Sequence, residues 1–116
     1  MADRRIVVFL SHGDPTSLRL AGSAALAAAA AGGRVDVFLF GTAVAPVVDA
    51  HGDGEDEPGS LLHQAREVGP CRLVACSASV VEEKVSLDAA NRALDAVVGW
   101  PTILEWSAGV ADRFFF

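Results

Sequence analysis

Two short apolar runs flank an alanine-rich segment near the start of this sequence. The first run is Ile6 to Leu10, and the second, Arg34 to Phe40, is apolar at most positions. Continuous apolar runs of this length are typical of strands that are buried on both faces of a parallel sheet. The pattern therefore predicts two strands with a helix between them, and such a strand–helix–strand unit joins parallel strands.

The segment between the two runs has helix start and stop signals. Asp14 is a favoured N-cap, and Pro15 after it is a favoured first helical residue. Gly32-Gly33 is a favoured helix end. We therefore expect a helix from Pro15 to about Ala31, whose small side chains would let it pack closely against a sheet or another helix.

A third apolar run, Cys71 to Cys76, ends on a cysteine. Ser79 and Glu82 have the spacing of a capping box, so this pattern predicts a helix led by Ser79. Cys76 would then lie where a strand ends and a helix is about to begin. In open α/β sheets, this carboxyl edge is where ligands bind and chemistry takes place.

The remaining segments continue the alternation of helices and strands. Residues 51–59 are acidic and rich in Gly, which predicts a mobile loop. The last three residues are all Phe, which we expect to be covered by the sheet or by another subunit. The other predicted elements are helices at Ala43 to Ala50, Ser60 to Val68, Ser86 to about Val98 and Pro101 to Val110, and a terminal strand at Arg113 to Phe116.

The composition excludes several classes of protein. A chain of 116 residues has room for one domain, which we place at residues 1–116. A net charge of −6 without a Lys/Arg-rich run argues against binding to nucleic acid or to an anionic membrane by charge. Hydrophobic residues make up 52%, which favours apolar subunit contacts and hence an oligomer.

The two cysteines and the apolar segments bear on the location of the protein. Two cysteines in a chain without a signal peptide favour a reduced, cytoplasmic compartment. The alanine-rich segment from Leu20 to Ala31 is shorter than the roughly 20 residues of a spanning helix, so we expect no membrane span. The sequence implies no metal site and no cofactor, because no phosphate-binding glycine loop or ligand spacing is present.

The order of these segments resembles the DsrE/DsrF/TusD-like sulfur-relay family, which includes the YchN-type proteins, over nearly the whole chain. The family opens with a short strand, a Gly-containing loop and an Ala/Leu-rich helix that ends in Gly, like residues 6–33 here. Its central strand ends in Cys and small polar residues, to which Leu73 to Ser77 is similar. Its closing signature is its most specific part, matched by Gly99, Thr102 to Ser107 and Ala111 to Phe116.

This resemblance implies a fold and a function. The family folds as a three-layer α/β/α sandwich on a mainly parallel five-stranded sheet and assembles into trimers or hexamers. Members with the cysteine carry sulfur as a persulfide between a donor and an acceptor protein. The resemblance makes Cys76 the sulfur carrier here, and Cys71 has no counterpart in the family pattern.

Other residues are candidates for the same site. His12 follows the first strand and would assist thiolate formation at Cys76 if those two strands are neighbours. Gly13, Ser77 and Ser79 are candidate binding residues around it. Free backbone N–H groups at the following helix start would also stabilise a thiolate.

Other interpretations remain open at this point. A cysteine that ends an apolar strand is often an inert packing residue. The family commonly has an Arg-Gly pair after the cysteine, where this chain has Glu82-Glu83-Lys84, and carboxylates near a thiol disfavour its ionised form. The alternative function is therefore a non-catalytic oligomeric scaffold or a small-molecule-binding protein. A phosphoryl-binding flavodoxin-like domain is disfavoured, because the required acidic residues are missing after the strands.

Overall fold

The computed structural model describes residues 4–51 and 57–116, and in these segments five strands form one sheet. All neighbouring strands are parallel, in the order β4-β3-β2-β1-β5. The all-parallel five-stranded sheet confirms the predicted fold class. The strands are β1 (Arg5–Leu10), β2 (Arg34–Leu39), β3 (Cys71–Cys76), β4 (Ala96–Val98) and β5 (Asp112–Phe115).

Helices cover both faces of this sheet. No helix of residues 4–51 and 57–116 is long and apolar enough to cross a membrane. The helices are α1 (Pro15–Ala30), α2 (Val44–Asp49), α3 (Ser60–Val68), α4 (Ser77–Glu82), α5 (Leu87–Ala93) and α6 (Trp100–Ser107).

The strand order explains why the helices divide unequally between the faces. From β1 to β4 each connection steps to the next strand in the same direction, and right-handed crossovers then place α1 to α5 on one face. The chain returns past β1 to form β5, so α6 crosses the opposite face. The side chains form two separate clusters accordingly, and the smaller one joins Val7, Phe38, Val74 and Cys76 to Ile103 of α6.

The local signals at α1 act as predicted. The carboxylate of Asp14 accepts hydrogen bonds from the backbone N–H of Ser17 at 3.0 Å and from its hydroxyl at 2.8 Å. The small residues of α1 allow a close approach to α3, since a Cβ atom on Gly22 would lie 2.5 Å from the Cβ of Leu61.

Three predictions about the elements need correction or lie outside the described residues. The predicted helix after Ser86 ends at Ala93, and the strand β4 follows it where we predicted more helix. The helical spacing of Leu87 with Ala90 and Leu94 predicts that Leu87 is buried, but its side chain is 58% exposed. The predicted mobile loop 51–59 falls largely on residues 52–56, which lie outside the described segments.

Candidate functional site at the carboxyl edge of the sheet

Cys76 is the last residue of β3 and the N-cap of α4. This confirms that the strand ends at this cysteine and that a helix follows. Its strand neighbour is Val98, after which α6 begins on the opposite face. Cys76 therefore lies at the point where the helices after two adjacent strands diverge, which is where open α/β sheets form ligand-binding crevices.

The thiol of Cys76 is covered in the single chain. The residue is 3% exposed and makes no disulfide. Successive side chains of a strand point to opposite faces, and that of Cys76 points to the face that α6 covers. Ile103, on the first turns of α6, is fully buried in the same cluster. The thiol is thus at the predicted edge of the sheet but is buried on the face where α6 packs.

The predicted capping box at Ser79 is wrong. The helix begins two residues earlier, at Ser77, and no side chain caps it. The hydroxyl of Ser79 instead accepts a hydrogen bond from the backbone N–H of Gly41 at 2.9 Å. Ser79 is 8% exposed, so its oxygen ties α4 to the turn after β2.

Gly13 ties the loops after β1 and β2 in a similar way. Its backbone N–H donates to the hydroxyl of Thr42 at 3.0 Å. A Cβ atom at this position would lie 2.1 Å from the carbonyl oxygen of Thr42, so the close approach requires glycine. Together with the contact between Ser79 and Gly41, this bond links the loops that follow three neighbouring strands.

His12 and Ser77 occupy exposed positions at the same edge. The Nδ1 atom of His12 lies 3.3 Å from the hydroxyl oxygen of Ser11. The condition for its predicted role is not met, because β2 lies between β1 and β3. Ser77 directly follows Cys76 and is exposed. Its hydroxyl oxygen lies near Gly99, because a Cβ atom added to Gly99 would be 3.8 Å from it.

Aromatic side chains at this edge form a feature that the sequence analysis missed. Phe9, Phe40, Trp100 and Phe115, with Ser11, line a groove of about 500 Å³, which we call the aromatic groove. Ring centroids are 4.9 Å apart between Phe9 and Phe115 and 5.1 Å apart between Phe40 and Trp100, with nearly parallel planes. The signal in the sequence was a Phe close to the end of each of three strands, namely Phe9, Phe40 and Phe115.

Part of this aromatic surface is strongly exposed. Phe115 is 71% exposed and Trp100 is 51% exposed, so the expectation that the sheet itself covers the terminal phenylalanines is not met for Phe115. Phe9 and Phe40 pack against the cluster that contains Cys76. The groove is therefore continuous with the cover of the thiol.

Cys71 lies at the other end of β3, and its environment is different. Burial, together with the carboxylates of Asp95 and Asp36, raises the pKa of its thiol to about 12. At neutral pH only about one such thiol in 10⁵ would be ionised. The thiolate is the nucleophilic form of cysteine, so the raised pKa disfavours a chemical role for this side chain.

The charged residues that follow Cys76 lie at the far end of α4. Glu82 is the last residue of α4, and Glu83 follows it. At a rise of 1.5 Å per residue the two ends of this helix are roughly 8 Å apart. In the described segments, no group of three or more His, Cys, Asp and Glu residues is placed to hold a metal ion.

Comparison with known proteins identifies the family. The DsrE/DsrF-like family model matches residues 4–114, so the chain belongs to this family. No curated protein matches the sequence.

Two solved structures share the fold at low sequence identity. The ychN protein from E. coli is 16% identical, with a TM-score of 0.61 over 97% of this chain and 99% of that one. MTH1491 from Methanobacterium thermoautotrophicum, described as a protein of unknown function, is 20% identical, with a TM-score of 0.66 over 96% of this chain and 99% of that one. These likenesses establish the fold.

Proposed function

We propose that this protein is a sulfur-relay protein that carries sulfur as a persulfide on Cys76. The observation that carries the proposal is the position of this thiol at the carboxyl end of a central strand, in a chain of the DsrE/DsrF-like family. Cys71 does not compete for the role, because the pKa of about 12 keeps its thiol protonated. A cytoplasmic location, which the free thiols favour, belongs to the same proposal.

The transfer itself is an exchange between sulfur atoms. The Cys76 thiol first loses its proton to solvent, and the thiolate attacks the outer sulfur of a persulfide on the donor protein. The sulfur–sulfur bond of the donor breaks, and the donor thiolate leaves with the bonding electron pair. An acceptor thiolate then attacks the outer sulfur on Cys76 and regenerates the Cys76 thiolate, so no external oxidant or reductant is consumed.

The burial of Cys76 sets a condition on this reaction. At 3% exposure the sulfur cannot meet a donor thiol unless part of its cover moves. Ile103 of α6 lies in the cluster that covers it, and α6 is the helix that packs into this cluster. We therefore propose that displacement of the first turns of α6 admits the partner protein.

The test compares the two thiols of one strand. Wild type, Cys76→Ser and Cys71→Ser would each be incubated with a small persulfide donor, and intact-mass spectrometry would follow the gain of one sulfur atom. We expect Cys76→Ser to abolish the adduct and Cys71→Ser to retain it. The absence of an adduct in wild type, or an adduct that persists in Cys76→Ser, would reject the proposal.

The exposed aromatic residues support self-association, which we place in the same proposal as a homo-oligomer, a trimer or a hexamer. Burying the exposed rings of Phe115 and Trp100 in a subunit contact would be favourable, because aromatic side chains dominate the energetics of interfaces. Phe114, the preceding residue of β5, is also exposed at 44% but points to the opposite face of the sheet.

This pair of neighbours provides a matched test of assembly. We expect Phe115→Ser to reduce the molar mass in solution, as measured by light scattering after size-exclusion chromatography, and Phe114→Ser to leave it unchanged. A wild-type protein that is monomeric would contradict the oligomer. Equal effects of the two substitutions would contradict the aromatic groove as the contact.

A second candidate function is a non-catalytic oligomeric scaffold or a small-molecule-binding protein, and the 3% exposure of Cys76 favours it. In this case the thiol is a packing residue, and the aromatic groove holds subunits together or takes an apolar ligand. The thiol would then stay unreactive toward a persulfide donor in the assembled protein. The same mass measurement therefore separates the two candidates.

A further inference from the structure

The amino edge of the sheet, opposite the Cys76 edge, contains a cleft of about 600 Å³ lined by four arginines. They come from four different elements: Arg5 from β1, Arg34 from β2, Arg66 from α3 and Arg72 from β3. Arg5 and Arg34 are direct partners in the register of β1 and β2, so they start neighbouring strands. We call this feature the arginine cleft.

Arg72 is held in place by two interactions. Its guanidinium donates to both carboxylate oxygens of Asp36, at 2.7 and 3.0 Å. It also lies over the ring of Trp106, with 4.1 Å from its central carbon to the ring centroid. A guanidinium held on two sides loses little conformational freedom when it binds a ligand.

Arg5 and Arg66 are also held by neighbours. Arg5 donates to the carbonyl oxygens of Trp106 and Ala108, at the end of α6. Arg66 donates to the carbonyl oxygen of Ala93 at 2.8 Å and to the carboxylate of Asp95 at 3.0 Å. Much of the positive charge in this cleft is therefore positioned before any ligand arrives.

Arg34 is different, because within residues 4–51 and 57–116 its side chain makes no hydrogen bond and no ion pair. Among the described residues, the carboxylates that form ion pairs with the cleft arginines are those of Asp36 and Asp95, so four positive charges meet two negative ones there. This leaves a local surplus of two positive charges in a chain whose net charge is −6. Such a surplus in a concave site concentrates field lines and attracts anions.

We propose that the arginine cleft binds a small, multiply charged oxyanion of the phosphate or diphosphate class. Arginine presents a planar fork of N–H donors that matches the oxygens of phosphate, and such charge-assisted bonds are among the strongest in proteins. Arg34 supplies the unpaired fork, and the arginines held by their neighbours supply the surrounding charge. The volume is within the range of pockets for small molecules.

This site is separate from the thiol site. Cys71 and Cys76 are the two ends of β3, which at the usual rise places them about 16 Å apart. Ligand binding at the arginine cleft therefore does not depend on whether Cys76 carries sulfur.

The experiment titrates the whole chain with sodium pyrophosphate in a calorimeter at low ionic strength, and repeats the titration with inorganic phosphate. We expect saturable binding of pyrophosphate and weaker binding of phosphate, because fewer charges and oxygens meet the forks. Arg34→Gln should weaken pyrophosphate binding about tenfold or more, since it removes a charged donor without breaking an existing contact. The affinity of Arg34→Lys for pyrophosphate should lie between those of wild type and Arg34→Gln, because lysine keeps the positive charge but lacks the planar fork of donors.

The matched control is Arg19→Gln. Arg19 is an exposed arginine in the first turns of α1, which follows the carboxyl end of β1, at the opposite edge of the sheet from the cleft. The Arg19→Gln substitution changes the net charge of the protein by the same amount as Arg34→Gln and should leave pyrophosphate binding unchanged. No saturable binding by wild type, equal binding by wild type and Arg34→Gln, or equal losses in Arg19→Gln and Arg34→Gln would each overturn the proposal.

Discussion

Cys71 and Cys76 are the first and last residues of the same strand, and the structure places them in opposite settings. Cys71 faces the helices α1 to α5 and lies near the carboxylates of Asp36 and Asp95, which with burial raise its pKa to about 12. Cys76 faces α6 and leads directly into α4. The two ends of one parallel strand thus give their thiols different layers of helices and different neighbouring charges, and the carboxyl end leads into the loops and helix starts where open α/β sheets bind ligands.

Replacing Ile103 by Ala should change the Cys76 end most strongly. The side chain is fully buried in the cluster that contains the thiol, so its truncation should lower the free energy of unfolding by about 2–5 kcal/mol. Loss of the cover should also raise the rate of Cys76 alkylation by iodoacetamide about tenfold or more, measured by peptide mass spectrometry. The alkylation of Cys71 should stay slow.

Leu62→Ala is the matched control for this experiment. Leu62 is as deeply buried as Ile103, but it lies on α3 in the other cluster. The substitution should destabilise the fold to a similar degree without exposing the thiol locally. If both variants accelerate Cys76 alkylation equally, the thiol is reached through global unfolding and α6 is not its local cover.

Asp36→Asn should have the next largest effect, at the Cys71 end. Asp36 is 9% exposed and holds the guanidinium of Arg72 through two hydrogen bonds. Its loss should lower the free energy of unfolding by about 2 kcal/mol, less than for a fully buried pair because Arg72 is partly exposed. Urea denaturation would measure the change.

The control for Asp36→Asn is Asp112→Asn. Asp112 pairs with Arg4 at the surface, where both side chains are at least one-third exposed. Exposed pairs contribute about 0–1 kcal/mol, so this substitution should be nearly silent. Equal losses in the two variants would show that the Asp36–Arg72 pair does not specifically stabilise the amino edge.

At neutral pH Cys71→Ser should have the smallest effect of these substitutions, and a difference from wild type should appear only at alkaline pH. The pKa of Cys71 rises from its ordinary value of 9.0 to about 12 on folding, so the folded state holds the thiol proton more tightly. The resulting stability is present below pH 9 and is lost as the pH rises toward 12, by up to roughly 1.4 kcal/mol per pH unit. Denaturation between pH 9 and 11 should therefore show a shallower fall in Cys71→Ser, and an unchanged slope would contradict the raised pKa.

Much of the fold could be predicted from local signals. The bounds of β3 and the start of α1 at Pro15 follow from apolar runs and from the cap at Asp14, which act within a few residues. The strand β4 could not be predicted in this way. Val97 and Val98 follow Leu94 at the three- to four-residue spacing of a buried helix face, so the sequence alone predicts that the helix continues. Their pairing with β3 makes them a strand.

The candidate site was less predictable, because it depends on the order of strands. The thiol at the end of β3 was predicted from an apolar run, but its cover by α6 depends on the return of the chain to β5. The proximity of His12 assumed neighbouring strands, and β2 separates them. The arginine cleft gave no signal at all, since its four arginines are scattered between positions 5 and 72.

The pairing of β1 with β5 has a consequence for the order in which the chain folds. It joins the first and last strands of the described chain, and hydrogen bonds from Ser11 and Phe116 extend it. Closing the longest loop of a chain carries the largest entropic penalty, so we expect this strand to dock last during folding and to detach first under mechanical pulling. Its late arrival would leave Phe9 and the open edge of β1 uncovered in nascent molecules, which is the stage at which they are most vulnerable to aggregation.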